Sequence, residues 1–231
     1  MSTAAWIDAS AGAAGDMLLG ALIDAGADQA AVSSAIARLS AATGEQLALD
    51  LTSVRRHGLR AARAVVQAGP SQVHRGLADV LELIAAASLP AVAAEFAVRV
   101  FDLLASAEAG VHGVPVEDVA FHEVGALDSL ADVIGSAVAL DSLGLLAPDA
   151  EVTISSVGLG RGSVASAHGP LPVPVPAVVR LLADAGAPVS AGPGSGEGEL
   201  CTPTGAALLA ALAAGWGPMP PLIVRLSLIH I

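Results

Sequence analysis

Five short stretches of this sequence gather residue types that bind cations or anions. The richest is Phe121-His122-Glu123-Val124-Gly125-Ala126-Leu127-Asp128-Ser129-Leu130-Ala131-Asp132. If the first part is a strand, His122 and Glu123 point to opposite sides of it. Asp128 then stands at the start of a helix, with Asp132 one turn on and on the same face. One imidazole with two or three carboxylates suits Ni, Mn or Mg. His122 and Glu123 are also the candidate catalytic residues. The zinc-protease pattern H-E-x-x-H is excluded, because Ala126 stands where its second histidine must be. The plainer alternative is a capping Asp128 and a hydrogen-bonded core His122.

The other four stretches are weaker. Gly12-Ala13-Ala14-Gly15-Asp16-Met17 follows an apolar run ending in Asp8 and opens a helix. Glycines there let backbone amides approach an anion, which makes Gly15 and Asp16 candidate ligand-binding residues. Asp8 and Asp16 together could hold a cation, or Asp16 could simply cap. The spacing matches neither the dinucleotide fingerprint nor a P-loop. His74-Arg75, ahead of another helix, pairs a candidate metal ligand with a residue suited to phosphate or carboxylate. The alternative there is a solvated helix start. His168 precedes Gly169-Pro170-Leu171-Pro172-Val173-Pro174, whose prolines impose an extended, stiff segment. It is a further candidate ligand, or part of a rigid connector. Finally, Thr202, Thr204 and Gly205 open a helix after a glycine-rich loop and offer amides and hydroxyls to an oxyanion. Ordinary capping by Thr202 is the alternative. Cys201 is either a soft nickel ligand or a buried, inert thiol.

The elements that must position these residues are strands alternating with helices. Residues 4–9 read as a buried strand, followed by a helix from Asp16 to near Gly26. A second helix is capped by Asp28. Leu47, Leu49 and Leu51 alternate with more polar residues, and 59–67 can return as the second strand of a hairpin around His57-Gly58. Helical spacing recurs at Leu77–Ile84, after Pro90, and over 128–143. Strands are expected at 119–124 and 151–157, and further helices at 176–185 and from Thr202-Pro203 to about Ala214. This pattern predicts an α/β (mixed α+β) module whose C-terminal third is rich in Gly and Pro. A soft boundary near Ala147-Pro148 divides residues 1–147 from an extension over 148–222 expected to pack on them.

Composition narrows the function. Ten basic residues, all arginine, face 22 acidic ones, for a net charge of −12. Aromatic residues are 2% of the 231. Such a chain is poorly suited to nucleic acid, which needs a basic surface and stacking rings. One cysteine excludes an internal disulfide framework and fits a reducing compartment. No run of about 18 apolar residues marks a membrane helix and no signal peptide opens the chain. A cytoplasmic location is expected.

The ordered set of motifs is specific where the single ones are not. G-x-x-G-D-M-x-L-G-A-L-I-D, H-R-x-L-A-D, F-H-E-V-G-A-x-D-S-x-x-D, H-G-x-L-P-V-P-x-P-A and G-E-L-x-T-P-T-G-A-A occur in that order from about Trp6 to Pro221. Together they resemble the LarC family of nickel insertion proteins. The resemblance implies synthesis of the nickel-pincer nucleotide: nickel is inserted into pyridinium-3,5-bisthiocarboxylic acid mononucleotide with CTP hydrolysis and Mn or Mg. The implied class is a nickel chelatase or cyclometallase, a lyase. The implied partners are the pyridinium mononucleotide, CTP and a C-terminal half of the family that is absent here; a homo-oligomer is compatible. By motif position, His74, His122, Asp128, Asp132 and His168 are the expected metal-proximal residues. Gly15, Asp16, Arg75, Thr202, Thr204 and Gly205 are expected to hold the nucleotide. Ser71-Gln72-Val73 stands where the family often has extra histidines, so a histidine-rich nickel-collecting loop is expected to be poorer. Residues 226–231 do not resemble the family, and 223–231 are expected to be an atypical, non-native tail. Two rival readings use the same residues: a divalent-metal-dependent nucleotide phosphohydrolase, and a non-catalytic ligand-holding module that needs a separate C-terminal half.

Overall fold

The computed structural model describes residues 3–56, 58–69, 75–121, 126–166, 169–193 and 197–224. In chain order the elements begin with β1 (Ala4–Ile7), α1 (Gly15–Asp24), α2 (Gln29–Thr43), β2 (Leu47–Arg56), β3 (Leu59–Ala68) and β4 (Arg75–Gly76). Next come α3 (Leu77–Ala86), α4 (Ala91–His112), β5 (Ala120–Phe121) and α5 (Leu127–Ser142). The remainder comprises β6 (Glu151–Ile154), β7 (Val157–Gly158), β8 (Gly160–Ser166), β9 (Gly169–Val173), α6 (Pro176–Asp184), β10 (Val189–Ser190), β11 (Gly198–Glu199), α7 (Pro203–Leu212) and β12 (Gly215–Trp216). The mixed α/β class expected from the sequence is the one observed.

The molecule is organised around α5. From Val133 to Leu140 every residue of this helix is buried, as expected of a helix that is apolar all round. It packs against α1, α2 and α4, while α4 also packs against α6 and α7. Gly135 permits a close approach of α1: a Cβ there would stand 3.1 Å from Leu19. A small parallel sheet in the order β1-β6-β12 lies beside the helices. It joins residues from both sides of Pro148 in one layer. The β2–β3 hairpin, ten residues per strand, packs on α1 and α2. Its core face carries Leu47, Leu49, Leu51, Ala64 and Val66.

The Gly/Pro-rich third contains strands that proline content hides. β9 carries Pro170 and Pro172 yet pairs antiparallel with β8. The order β11-β8-β9 makes β9 an edge strand, where a missing N–H costs no ladder bond. Around this third, loops cross at van der Waals contact or closer. A Cβ on Gly12 would stand 2.0 Å from the Leu200 carbonyl oxygen, one on Gly158 2.2 Å from that of Ser10, and one on Gly205 2.2 Å from that of Ala13. Only glycine fits these crossings. Through them the 9–13 loop grips the 200–202 segment: the Ala13 N–H donates to the Leu200 carbonyl (2.9 Å) and the Thr202 N–H to that of Ala13 (3.0 Å).

Candidate functional site

The glycine crossings bring three helix N-termini together. The first turns of α1, α5 and α7 surround a cleft of about 320 Å³, lined by Gly15 and Asp16, by Asp128, Ser129 and Asp132, and by Thr202, Pro203 and Thr204. Ala14, Glu199 and the β3 residues Val65 and Val66 complete the wall. Contact between the helices is direct. A Cβ on Gly15 would stand 2.8 Å from the Asp132 carboxylate and 3.1 Å from the Thr204 methyl. Gly15 therefore serves to let α1 touch both neighbours.

Asp16 and Asp128 occupy equivalent places, each the second residue of its helix. Neither is the cap: Ala14 and Ala126 hold those positions without side-chain bonds. Each carboxylate instead accepts from the next backbone N–H, of Met17 at 2.8 Å and Ser129 at 2.9 Å. Both side chains remain exposed. The capping that was the plainer alternative for Asp16 and Asp128 fails because the extended residue ahead of each helix is Ala14 or Ala126, two positions earlier. Thr202 does cap: its Oγ1 accepts from the Gly205 N–H at 3.1 Å. Asp28 caps α2 in the same way, accepting from Ala31.

Asp132 differs from the other two carboxylates. It sits one turn into α5, where the buried run begins, and its carboxyl is pushed up to about 8. Burial is the main cause, followed by the charges of Asp16 and Asp128; the Asp16 backbone N–H opposes them. Near neutral pH this favours the protonated form of Asp132. Cys201 lies behind this wall, fully buried, with its thiol pushed up to about 12 by burial and by Glu199. It is a protonated, inert thiol at neutral pH.

The remaining sequence candidates lie elsewhere. Arg75 is buried on β4, and its Nη2 contacts Glu45 Oε1 at 3.1 Å. It is not among the residues lining the cleft. Asp8 also stands apart from the cleft. It accepts from the Ser10 N–H and the Ser155 hydroxyl, and the Ser10 bonds chiefly hold its carboxyl below the usual range. His74, His122, Glu123 and His168 lie outside the described residues. Among the described residues no three His, Cys, Asp or Glu side chains come close enough to hold a metal ion. Sequence reasoning missed Glu199, Ser129 and the two valines of β3. Glu199 stood inside the G-E-L-x-T-P-T motif and could have been found there. The valines could not, because only the packing of α1 on β3 brings them to the cleft.

The sequence profile of the nickel insertion proteins matches residues 5–227, almost the whole chain. The chain belongs to this family. It is 50% identical over 222 residues to a pyridinium-3,5-bisthiocarboxylic acid mononucleotide nickel insertion protein of Nocardioides, covering 96% of this chain and 54% of that protein. A putative nickel insertion protein of Roseiflexus castenholzii is 46% identical over 90% of this chain and 50% of its own length. A pyridinium-3,5-bisthiocarboxylic acid mononucleotide nickel insertion protein of Staphylococcus saprophyticus is 37% identical over 95% of this chain and 53% of its own length. The chain thus spans about half the length of the curated relatives it matches. No solved structure matches it. Within the family region no helix among the described residues is long and apolar enough to cross a membrane.

Proposed function

We propose that this chain holds nickel and its acceptor, pyridinium-3,5-bisthiocarboxylic acid mononucleotide, for insertion of the metal, and that the cleft between α1, α5 and α7 is where the two meet. The observation that carries this reading is the convergence of three helix N-termini on a cleft that also contains Asp16, Asp128 and Asp132. Helix N-termini attract anions, whereas three carboxylates repel them. The described carboxylates do not by themselves form a metal-holding group, and the two demands are reconciled by a cation held between them and the proposed donors His122 and Glu123, with an anion on its far side. Oxygen donors hold nickel less firmly than sulfur donors do. A carboxylate cleft is therefore suited to pass nickel on to the thiocarboxylates of the acceptor. Asp132 would release its proton as the cation arrives. His122, Glu123, His74 and His168 are the proposed imidazole and acid–base complement. Gly15, Thr202 and Thr204 are the proposed contacts to the acceptor, whereas Gly205, bonded to Thr202 and packed on Ala13, stands behind them.

CTP hydrolysis with Mn or Mg, lyase-type chemistry and a cytoplasmic site of action belong to the proposal as properties of the full-length protein. Since the chain covers about half of its relatives, we assign it the metal- and ligand-holding part, with activity expected when a C-terminal half is supplied. The cleft predicts an order of binding, cation first. Retention of nicotinic acid mononucleotide on the immobilised chain should require nickel, manganese or magnesium and vanish in EDTA. Equal retention with and without EDTA would contradict the reading. Nucleotide hydrolysis by this chain alone, with magnesium and neither nickel nor acceptor, would favour a phosphohydrolase instead.

A further inference from the structure

Charge is distributed unevenly along this chain. From Leu51 to Ala78 there are five arginines and no acid; the rest of the chain has five arginines against all 22 acids. Four of the five, Arg55, Arg56, Arg60 and Arg63, lie on the β2–β3 hairpin. Basic residues are thus concentrated on one hairpin of a protein of opposite sign, and β3, the strand that carries Arg63, also walls the cleft.

We propose that this hairpin recognises an anion and that Arg63 takes the phosphate of the pyridinium mononucleotide while the metal-receiving end lies in the cleft. This rests on the reading of the cleft given above. Arg63 and Val65 share one face of β3, two residues and so about 7 Å apart along the strand. Val65 lines the cleft, and an arginine side chain reaches across such a gap. Arg55 lies further towards the turn at Gly58, directly opposite Arg60. That pair lies on the face that also carries Leu49 and Val66, opposite to the face of Arg63 and Val65. Arg60 is already engaged by Asp24 of α1 at 2.8 Å, which ties the hairpin to the helix that opens at the cleft. Arg63 is exposed, and no acid among the described residues forms an ion pair with it. Its planar guanidinium group matches a phosphate with paired hydrogen bonds. The carboxylates of the cleft repel the same phosphate. A ligand with an anionic end and a metal-binding end is therefore oriented by the two regions together.

Nicotinic acid mononucleotide and nicotinic acid riboside differ only by the phosphate, and their dissociation constants can be compared by calorimetry at saturating nickel. The wild-type chain should prefer the mononucleotide. Arg63→Gln should weaken the mononucleotide about 10-fold, the cost of losing a charged hydrogen bond, and leave the riboside unchanged. Arg63→Lys should recover part of the preference, and Arg180→Gln, on α6 and paired with Asp184, should behave as wild type. Nickel binding should survive in Arg63→Gln. If Asp128→Asn and Asp132→Asn also keep nickel, the hairpin proposal stands and the cleft reading falls. No preference for phosphate in the wild type, or an undiminished preference in Arg63→Gln, would overturn the proposal. So would a change in sedimentation coefficient without a change in ligand affinity, which would assign the hairpin to the acidic face of a second copy.

Discussion

The cleft and the hairpin beside it are built on opposite terms. The cleft is assembled from helix ends locked by glycine crossings, with carboxylates on its walls and a buried helix behind it. The hairpin is a local, two-stranded structure with arginines near its tip and one side packed on α1 and α2. One region is rigid, acidic and formed from residues nearly 190 positions apart, Gly15 to Thr204. The other is basic and formed within about 22 residues. On the proposed reading, an acidic protein receives an anionic nucleotide because Arg63 stands only two residues along β3 from Val65, which lines the carboxylate cleft.

The contrast is sharpest in the glycines. Gly205→Ala would drive a methyl group to 2.2 Å from the Ala13 carbonyl and so separate α7 from the 9–13 loop. A loss of about 3 kcal/mol is expected, the upper end for overpacking, or a melting temperature lower by roughly 6–12 °C in a chain of this size. A shift below about 2 °C would show that the crossing is looser than described.

The second test concerns Asp132. A carboxyl raised to about 8 binds its proton more tightly in the folded state than in the unfolded one, where the ordinary value is 3.8. Its stabilising contribution is therefore complete below about pH 4, declines as pH rises, and is lost above about 8. Asp132→Asn removes that dependence. Thermal melts should show the variant gaining on the wild type between pH 5 and pH 8, by at least about 2–4 °C, the shift that 1 kcal/mol gives in a chain of this length. Parallel pH profiles would mean that Asp132 is solvated and the cleft wetter than its geometry indicates.

The smallest effect is expected at the hairpin end of the comparison. Gly69 follows β3 directly, and a Cβ added to it would meet no heavy atom of the described residues within 4 Å. Gly69→Ala should change stability by no more than about 0.5 kcal/mol, as judged by chemical denaturation. A larger loss would show that the hairpin, too, is held by close backbone contact.

Much of this was legible in the sequence, and the part that was not has physical causes. The alternation of Leu47, Leu49 and Leu51 gave away the hairpin, and Asp28 and Thr202 marked the starts of α2 and α7, because these signals are local. The β8–β9 hairpin was hidden because prolines normally argue against a strand, and only its edge position removes the objection. Asp16 and Asp128 looked like caps because a residue at the second helical position and one at the cap differ only in the φ/ψ of their neighbours. The convergence of α1, α5 and α7 depends on Gly12, Gly15 and Gly205 meeting partners far along the chain, and no window of sequence contains such a meeting. Of the candidate residues, the structure gathers Gly15, Asp16, Asp128, Asp132, Thr202 and Thr204 on one cleft and sets Arg75 apart, bound to Glu45.

The central claim is that the α1–α5–α7 cleft carries nickel. Equilibrium dialysis of the purified chain against nickel, beside Asp128→Asn and Asp132→Asn, tests it most directly. Stoichiometric binding by the wild type that falls at least about tenfold in both folded variants, the loss of one charged contact, is the predicted result. Wild-type affinity in both variants, or no binding by the well-folded wild-type chain, would contradict it.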